Sequence, residues 1–519
     1  MTDDKDDNHL PRLTRRGVLR TGTAMSVGAG LFALTGTLAH AQAGARDIPD
    51  EWDEEFDVVV IGSGFAGLSA AYEARMAGAS VVVLEKMPSL GGNSAISGGG
   101  WSVAGTPLQE EQGIEDSPES LLEDMLAAGL DMNHRELAQI VAYDSVDALR
   151  WTIDEIGVEY TDNLIHFGGH AVARAYATVA GTGAGITGPL IERLRENDVD
   201  PRTRVALQRL LRDTDGRVKG VVVRDGVPFP DDGSGEIRHI KAGKAVVLAT
   251  GGFGNDAAFR MLQDPRLDEE LDSTNQPGST AESLRDALNI GCTPIQLSWI
   301  QLGPWASPDE RGFGLGPHFA QGVSAMHGIW VDTRTGQRFI DELADRKIRA
   351  DAILRVGNET IAIADADGVA RGSPETMNEL LERGVVRRFD TLDEMAAAHD
   401  MSLDVLEETV ANWNAAVEAG EDAEWGRPMQ RDQISLDTPP FYVMRLTPKI
   451  HHTMGGVGIN TEAQALDVST GDVIDGLYCA GEITGGVHGA VRLGGCAYGD
   501  AIVFGRIAGR NAAAEDSWG

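Results

Sequence analysis

Phe56-Asp-Val-Val-Val-Ile61, running into Gly62-Ser63-Gly64-Phe65-Ala66-Gly67, decides the fold. The apolar run does not alternate, which marks a strand buried on both faces. The glycines follow as G-x-G-x-x-G. A helix over about Ala66 to Ala77 and a second apolar strand, Ser80 to Leu84, complete a β-α-β unit of a parallel sheet. In that setting Gly62 permits the tight turn and Gly64 lets backbone approach a pyrophosphate. Gly67 lets the helix pack on the strand, and the helix start at Ala66 points its N-terminus at the phosphates. Glu85 ends the second strand 18 residues beyond Gly67, where a carboxylate can accept hydrogen bonds from both ribose hydroxyls.

The dinucleotide is expected to be FAD. Leu90-Gly91-Gly92-Asn93-Ser94 continues into Ser97-Gly98-Gly99-Gly100, a second glycine-rich stretch close behind the acid. The long diphosphate and ring system of FAD needs such a stretch, which makes Gly92, Asn93, Ser94, Gly98 and Gly99 candidate contacts. A later strand, V-V-L-A-T-G-G-F-G from Val246 to Gly254, ends in glycines and brings Gly251 beside the cofactor.

A chain of 519 residues is long enough for more than one domain. Residues 118–156 are mostly helical by apolar spacing. Val205 to Leu211 starts a strand run, Gly216 to Val223 and Ile237 to Ile240 read as hairpin strands, and Ala245 to Ala249 reads as another buried strand. Near residue 290 the texture changes to short strands and polar helices, including an amphipathic helix at Leu403 to Ala419. Strand-like, glycine-rich sequence returns at 450. The organisation expected is α/β: a Rossmann-like FAD-binding domain over 54–287 and 447–519, interrupted by an α+β capping domain over 288–446.

Lys449-Ile-His-His-Thr-Met-Gly-Gly-Val457 and G-L-Y-C-A-G-E-I-T-G-G-V-H-G-A-V-R-L-G-G, Gly476 to Gly495, resemble the soluble fumarate reductase flavoproteins, a family that includes urocanate reductase. The fingerprint, the A-T-G-G-F-G strand, Arg338-Phe-Ile-Asp-Glu342 and the run Glu418 to Arg427 are similar to the same family. The two histidine-containing blocks also separate the chain from 3-ketosteroid dehydrogenases, which share the architecture. The resemblance implies that a cap closes over the flavin ring with substrate between. It implies that His452, Glu482 and Leu493 contact FAD, and that His451 and Arg492 hold a substrate carboxylate. Some relatives attach flavin through an early histidine; here the matching loop reads Gly92-Asn93-Ser94, so noncovalent FAD is expected.

Reducing an enoate requires a hydride, a carboxylate held so that the double bond is polarised, and a proton donor on the opposite face. A guanidinium such as Arg492 can hold a carboxylate through two parallel hydrogen bonds. By resemblance the donor is the cap arginine after the R-F-x-N-E-like strand, which is Arg346. An ordinary arginine is a poor acid, so it must be poised against the developing carbanion.

Two departures bear on substrate. Fumarate reductases carry H-P-T for the second carboxylate, and Gly303 stands in place of that histidine. Their T-E-A-V-R-like segment, with its proton relay, corresponds to A-Q-G-V-S-A-M-H, Ala320 to His327; Asp345, His318 and His327 are the candidate substitutes. Trp299 and Trp305 flank Gly303, and the missing side chain is expected to make room. A monocarboxylate with a bulkier far end, in the manner of urocanate, is therefore expected over fumarate, unless His318 holds a second carboxylate. The same residues also serve the reverse reaction, a dehydrogenase or oxidase acting on a saturated acid or ring. A noncatalytic flavin module would not need His451, Arg492 and Arg346.

The net charge of −36 argues against a nucleic-acid partner. The three cysteines, Cys292, Cys479 and Cys496, fit neither a zinc site nor C-x-x-C-H haem attachment, so no metal is expected and electrons must come from a separate cytochrome, the quinone pool or oxygen. The first 45 residues read as a leader: Arg15-Arg16, a weakly apolar stretch from Thr21 to Leu38, and small-residue cleavage sites at Ala39 to Ala43. The stretch falls short of the roughly 20 apolar residues that span a bilayer, so no membrane span is expected after its removal. Twin-arginine export of the folded protein to the periplasm follows. Changing Arg15 and Arg16 to lysine is expected to hold the precursor in the cytoplasm, which fractionation and immunoblotting would read directly.

Overall fold

Val58-Val-Val-Ile61, Val81-Val-Val-Leu84 and Ala245-Val-Val-Leu248 lie side by side in parallel, with Val60 opposite Val83 on one side and Val247 on the other. Every one of these side chains is buried, as unbroken apolar runs require. We analysed a computed structural model, which describes residues 45–429 and 433–518. The leader with Arg15 and Arg16 lies outside the described residues.

These runs form the middle of a seven-stranded sheet in the order Gln464–Leu466, Val473–Cys479, Glu236–Leu248, Glu54–Ile61 and Val81–Leu84. Val205–Arg212 and Val218–Asp225 join it as an antiparallel hairpin against Glu236–Leu248. The helix Phe65–Met76 follows the first strand, and the C-terminal helix Cys496–Ala514 packs against it. No helix among the described residues is long and apolar enough to cross a membrane.

One expectation needs correction. Ile237 to Ile240 and Ala245 to Ala249 are not separate strands but parts of one continuous strand, Glu236–Leu248. On one edge its first half pairs with the hairpin and its second half with Val473–Cys479. The half beside the hairpin is partly exposed and polar, the other half is fully buried, and the change of partner at Lys241 to Lys244 looks like a break in sequence. The helical stretch at 118–156 is likewise divided, into Pro118–Ala128 and Arg135–Trp151, with a short π-helical turn at Thr152–Ile156.

Between the strands Glu236–Leu248 and Gln464–Leu466 the chain builds a second, antiparallel sheet of six strands. Its backbone is Phe441–Thr453, which pairs with Thr360–Ala364 and Val386–Phe389 through its first half and with Ile300–Ala306 through its second. Alternation sorts its faces: Trp330 packs with Trp305, Phe319 and Met444, while Ile329 and Val331 pack with Trp413 and Phe441.

The R-F-I-D-E block and the Glu418–Arg427 run meet in a buried ionic knot. The Glu342 carboxylate accepts from Arg338 Nε at 3.0 Å, Arg338 Nη2 at 2.8 Å, Arg427 Nη1 at 3.1 Å and the Trp330 amide at 3.0 Å. Asp422 takes the remaining face of Arg338, and both guanidiniums lie over the Trp413 ring. Burial alone would raise the pKa of Glu342, but Arg427 and Arg338 hold it below the usual carboxylate value. Glu342→Ala leaves two buried cations short of a counter-charge, a loss of about 3–5 kcal/mol. The thermal unfolding temperature of the variant is expected to fall sharply, as circular dichroism would record.

Candidate active site

Where the first strand ends, Gly62 turns with φ +105°, and a Cβ there would stand 2.2 Å from the Ala249 carbonyl. A Cβ at Gly67 would stand 2.0 Å from the Gly62 carbonyl, so only glycine lets this helix meet this turn. Glu85 closes the loop. Its carboxylate accepts from the Ser63 amide and hydroxyl at 3.1 and 2.6 Å and from the Met87 amide at 2.9 Å. Ser63 Oγ accepts in turn from the Gly91 amide at 2.9 Å, tying the two glycine stretches together. Ser94 Oγ accepts from the Phe65 amide at 3.0 Å, and Asn93 bonds Asn275 and the Gln276 amide.

These residues open onto one cleft with a volume of about 420 Å³. Of the residues singled out from sequence, Gly62, Gly64, Ala66, Glu85, Gly92, Asn93, Ser94, Gly98, Gly251, His452, Glu482, Arg346, His451 and Arg492 all line it. Gly67, Gly99 and Leu493 lie behind the lining. Gly67 seats the helix, the Gly99 amide donates to Tyr498 Oη at 2.8 Å, and the Leu493 carbonyl accepts from Arg492 Nη1 at 3.1 Å.

The lining fits FAD. A Cβ at Gly92, Gly98 or Gly251 would meet no atom within 4 Å, so these three glycines present bare backbone to open space. Thr250 Oγ1 and His452 Nε2 are buried in the lining without a hydrogen-bond partner. On its other side His452 Nδ1 stands 3.4 Å from Glu482 Oε1. Burial, then Arg492 and His488, push the His452 pKa well below the ordinary value, so the ring is neutral.

A second group converges at the same cleft. His451 and His452 leave the end of Phe441–Thr453, Arg492 precedes the C-terminal helix, and Arg346 opens the helix Arg346–Val356. Asp345 caps that helix by accepting from the Ile348 amide at 3.0 Å. Among the described residues neither Arg346 nor Arg492 has a carboxylate within 4 Å. Arg346 Nη1 stands 3.5 Å from Gln301 Oε1, and Gln301 Nε2 donates to the Arg492 carbonyl at 2.9 Å. Burial, then Arg492 and Arg349, bring the Arg346 pKa well below the ordinary arginine value. Burial lowers that of Arg492 as well.

Comparison with known proteins gives the family. A family model described as an FAD binding domain matches residues 57–497. The chain belongs to the fumarate reductase flavoprotein family. The acrylate reductase flavoprotein subunit of Shewanella woodyi is 41% identical over 89% of this chain and 92% of its own. A fumarate reductase (cytochrome) of Shewanella frigidimarina is 36% identical over 88% and 77% of the two chains. The open conformation of a flavocytochrome c3 fumarate reductase superposes with a TM-score of 0.73 at 34% identity, covering 89% of this chain and 78% of that one. Membership makes the chain an FAD-dependent oxidoreductase.

Within this flavoprotein family the departures take a different form from the one expected. Gly303 does not open space, because Trp305 lies back across it: a Cβ at Gly303 would stand 3.2 Å from Trp305 Cζ2. Trp305 lines the cleft, but Trp299 lines a separate cavity of about 130 Å³ on the far side of Gln301. Of the candidate relay substitutes, Asp345 and His318 reach the cleft lining and His327 does not. Gln321, in the segment without the family acid, accepts from Arg349 Nη1 at 2.8 Å.

Sequence reasoning missed two lining residues, Thr274 and Tyr498, and a neighbour of the site, His488. Thr274 Oγ1 meets His451 Nδ1 at 2.8 Å, and Tyr498 Oη meets Ser97 Oγ at 2.5 Å. His488, inside the quoted H-G-A block, bonds Asp500 at 3.1 Å and stacks edge-on to His452. The block itself was the signal for His488; nothing local marks Thr274 or Tyr498.

Proposed function

We propose that this chain is an exported FAD-dependent reductase of short α,β-unsaturated monocarboxylates. The observation that carries it is the buried Arg492 guanidinium with the half-buried Arg346 guanidinium, which face one cleft with His451 and have no carboxylate partner among the described residues. Two such cations facing one cleft call for an anion from outside. One clamp can bind one carboxylate, and apolar Trp305 stands at the position of the second. The curated acrylate reductase subunit acts, by its name, on a monocarboxylate of this kind.

Bound FAD supplies the hydride. It would be held without a covalent bond, with Glu85 to take the ribose, the paired glycine stretches to take the diphosphate, and His452 and Glu482 as further contacts. His451 and Arg492 grip the substrate carboxylate, which draws electron density from the β-carbon. Arg346 delivers the proton to the α-carbon, made more acidic than an ordinary arginine by burial and by the neighbouring cations. Its charge also stabilises the developing enolate. Residues 288–446 act as the cap, supplying Arg346 and Trp305. A separate cytochrome or the quinone pool supplies electrons, and the twin-arginine leader directs the folded protein to the periplasm.

Reduced methyl viologen with acrylate is expected to give propionate at a higher kcat/KM than fumarate gives succinate; a clear preference for fumarate refutes the monocarboxylate assignment. Arg346→Ala should lower kcat by about 10²–10⁴-fold with little change in KM, the contribution expected of a general acid. Acid precipitation should release all the flavin into the supernatant; yellow pellet protein would show a covalent link.

A further inference from the structure

We propose that Trp305 sets the substrate range, barring substituents on the β-carbon while carrying the proton donor on its face; this rests on the enoate-reductase reading above. Three contacts converge on this one indole. The Arg346 guanidinium lies over the ring, 4.8 Å from its centroid. The His451 ring meets it edge-on at 5.3 Å and 75°. Its own benzene edge fills the space above Gly303. The indole therefore touches both the carboxylate clamp and the proton donor, and lines the cleft between them.

The strand geometry fixes the ring there. Ile300–Ala306 pairs antiparallel with Phe441–Thr453, Gln301 opposite His452 and Gly303 opposite Lys449. Trp305 is two residues beyond Gly303 on the same edge and is 6% exposed. Gly303 and Trp305 act as a pair, since any side chain at 303 would displace the indole. On the other side Phe313 stands 6.3 Å from the His451 ring, so the clamp histidine is walled by aromatics.

With the carboxylate on His451 and Arg492 and the α-carbon facing Arg346, the β-substituent meets the indole that carries that arginine. A phenyl or imidazole group would collide with it. Small β-substituents, hydrogen first, are what the wall admits. Seating a guanidinium on an aromatic face also orients it without the counter-ion that would suppress proton donation.

The test combines binding and turnover in the FAD-loaded enzyme. Perturbation of the oxidised flavin spectrum gives Kd for acrylate, cinnamate and fumarate, and reduced methyl viologen gives kcat and KM. The wild type is expected to bind acrylate more tightly than cinnamate. In Trp305→Ala the cinnamate-to-acrylate ratio of binding constants should move toward cinnamate by at least about tenfold, the scale at which an apolar pocket discriminates. Acrylate kcat should fall more than its KM rises, because Arg346 loses its platform. Trp305→Phe should restore most of that kcat. Trp305→Leu should keep the selectivity and lose the kcat, and it decides the matter if Trp305→Ala fails to retain flavin. An unchanged binding ratio in a flavin-loaded Trp305→Ala, or equal kcat in Trp305→Leu and wild type, overturns the proposal. A wild type that binds acrylate without reducing it would overturn the reductase reading instead, and the binding ratio would still judge Trp305.

Discussion

Arg492 is a cation taken out of water and Arg346 is a half-buried one beside it, and among the described residues neither has a carboxylate within 4 Å. That arrangement costs free energy, and the surrounding structure is built to withstand it. The contrast lies within the same chain. Arg338 and Arg427 are more completely buried than Arg346, but Glu342 and Asp422 meet them and Trp413 spreads beneath both. Among the described residues, the partners of Arg346 and Arg492 in the cleft are neutral: the Gln301 amide, the Leu493 carbonyl and the Trp305 ring. Neutral partners orient a guanidinium without quenching its charge. Burial, then the repulsion of Arg492 and Arg349, makes Arg346 a better acid than an ordinary arginine.

The groups assigned to the proposed chemistry ride on two different layers. Arg492, Glu85 and the glycine stretches belong to the chain around the parallel sheet. His451 ends the central strand of the antiparallel sheet, Trp305 sits on the strand paired with it, and Arg346 begins a helix on the same side. The carboxylate clamp is thus halved between layers. The ionic knot at Glu342 acts at a distance on this arrangement: it ties the stretch just before Arg346 to the Glu418–Arg427 run, and Arg349 Nη1 bonds the Glu342 carbonyl at 2.9 Å.

What could be read from sequence follows the range of the constraint. The phosphate turn was legible because its requirements are local: an unbroken apolar strand, a positive φ at Gly62, a close approach at Gly67. His451, Arg492 and Arg346 were legible only through resemblance, since nothing near them in sequence says that they meet. Thr274 and Tyr498 were not legible at all; their partners are 177 and 399 residues away. Trp305 shows a subtler failure. Sequence places an aromatic two residues from a glycine, but not the direction its ring takes. A gap in the side chains read as space, and the space proved to be occupied by the neighbour. The strand Glu236–Leu248 failed for a related reason, because exchanging one edge partner midway gives it two burial patterns.

The unpaired cleft cations lie inside a chain whose net charge is −36. An anionic substrate therefore travels uphill across an acidic exterior before it falls into a positive well. Mobile ions act on the two parts of that path unequally. At an ionic strength of about 0.15 M the screening length is roughly 8 Å, which blankets the outer repulsion but acts less on charges set back in the cleft. Salt lowers the entrance barrier and leaves the well nearly as deep, so brine is the medium in which this molecule's electrostatics work in its favour.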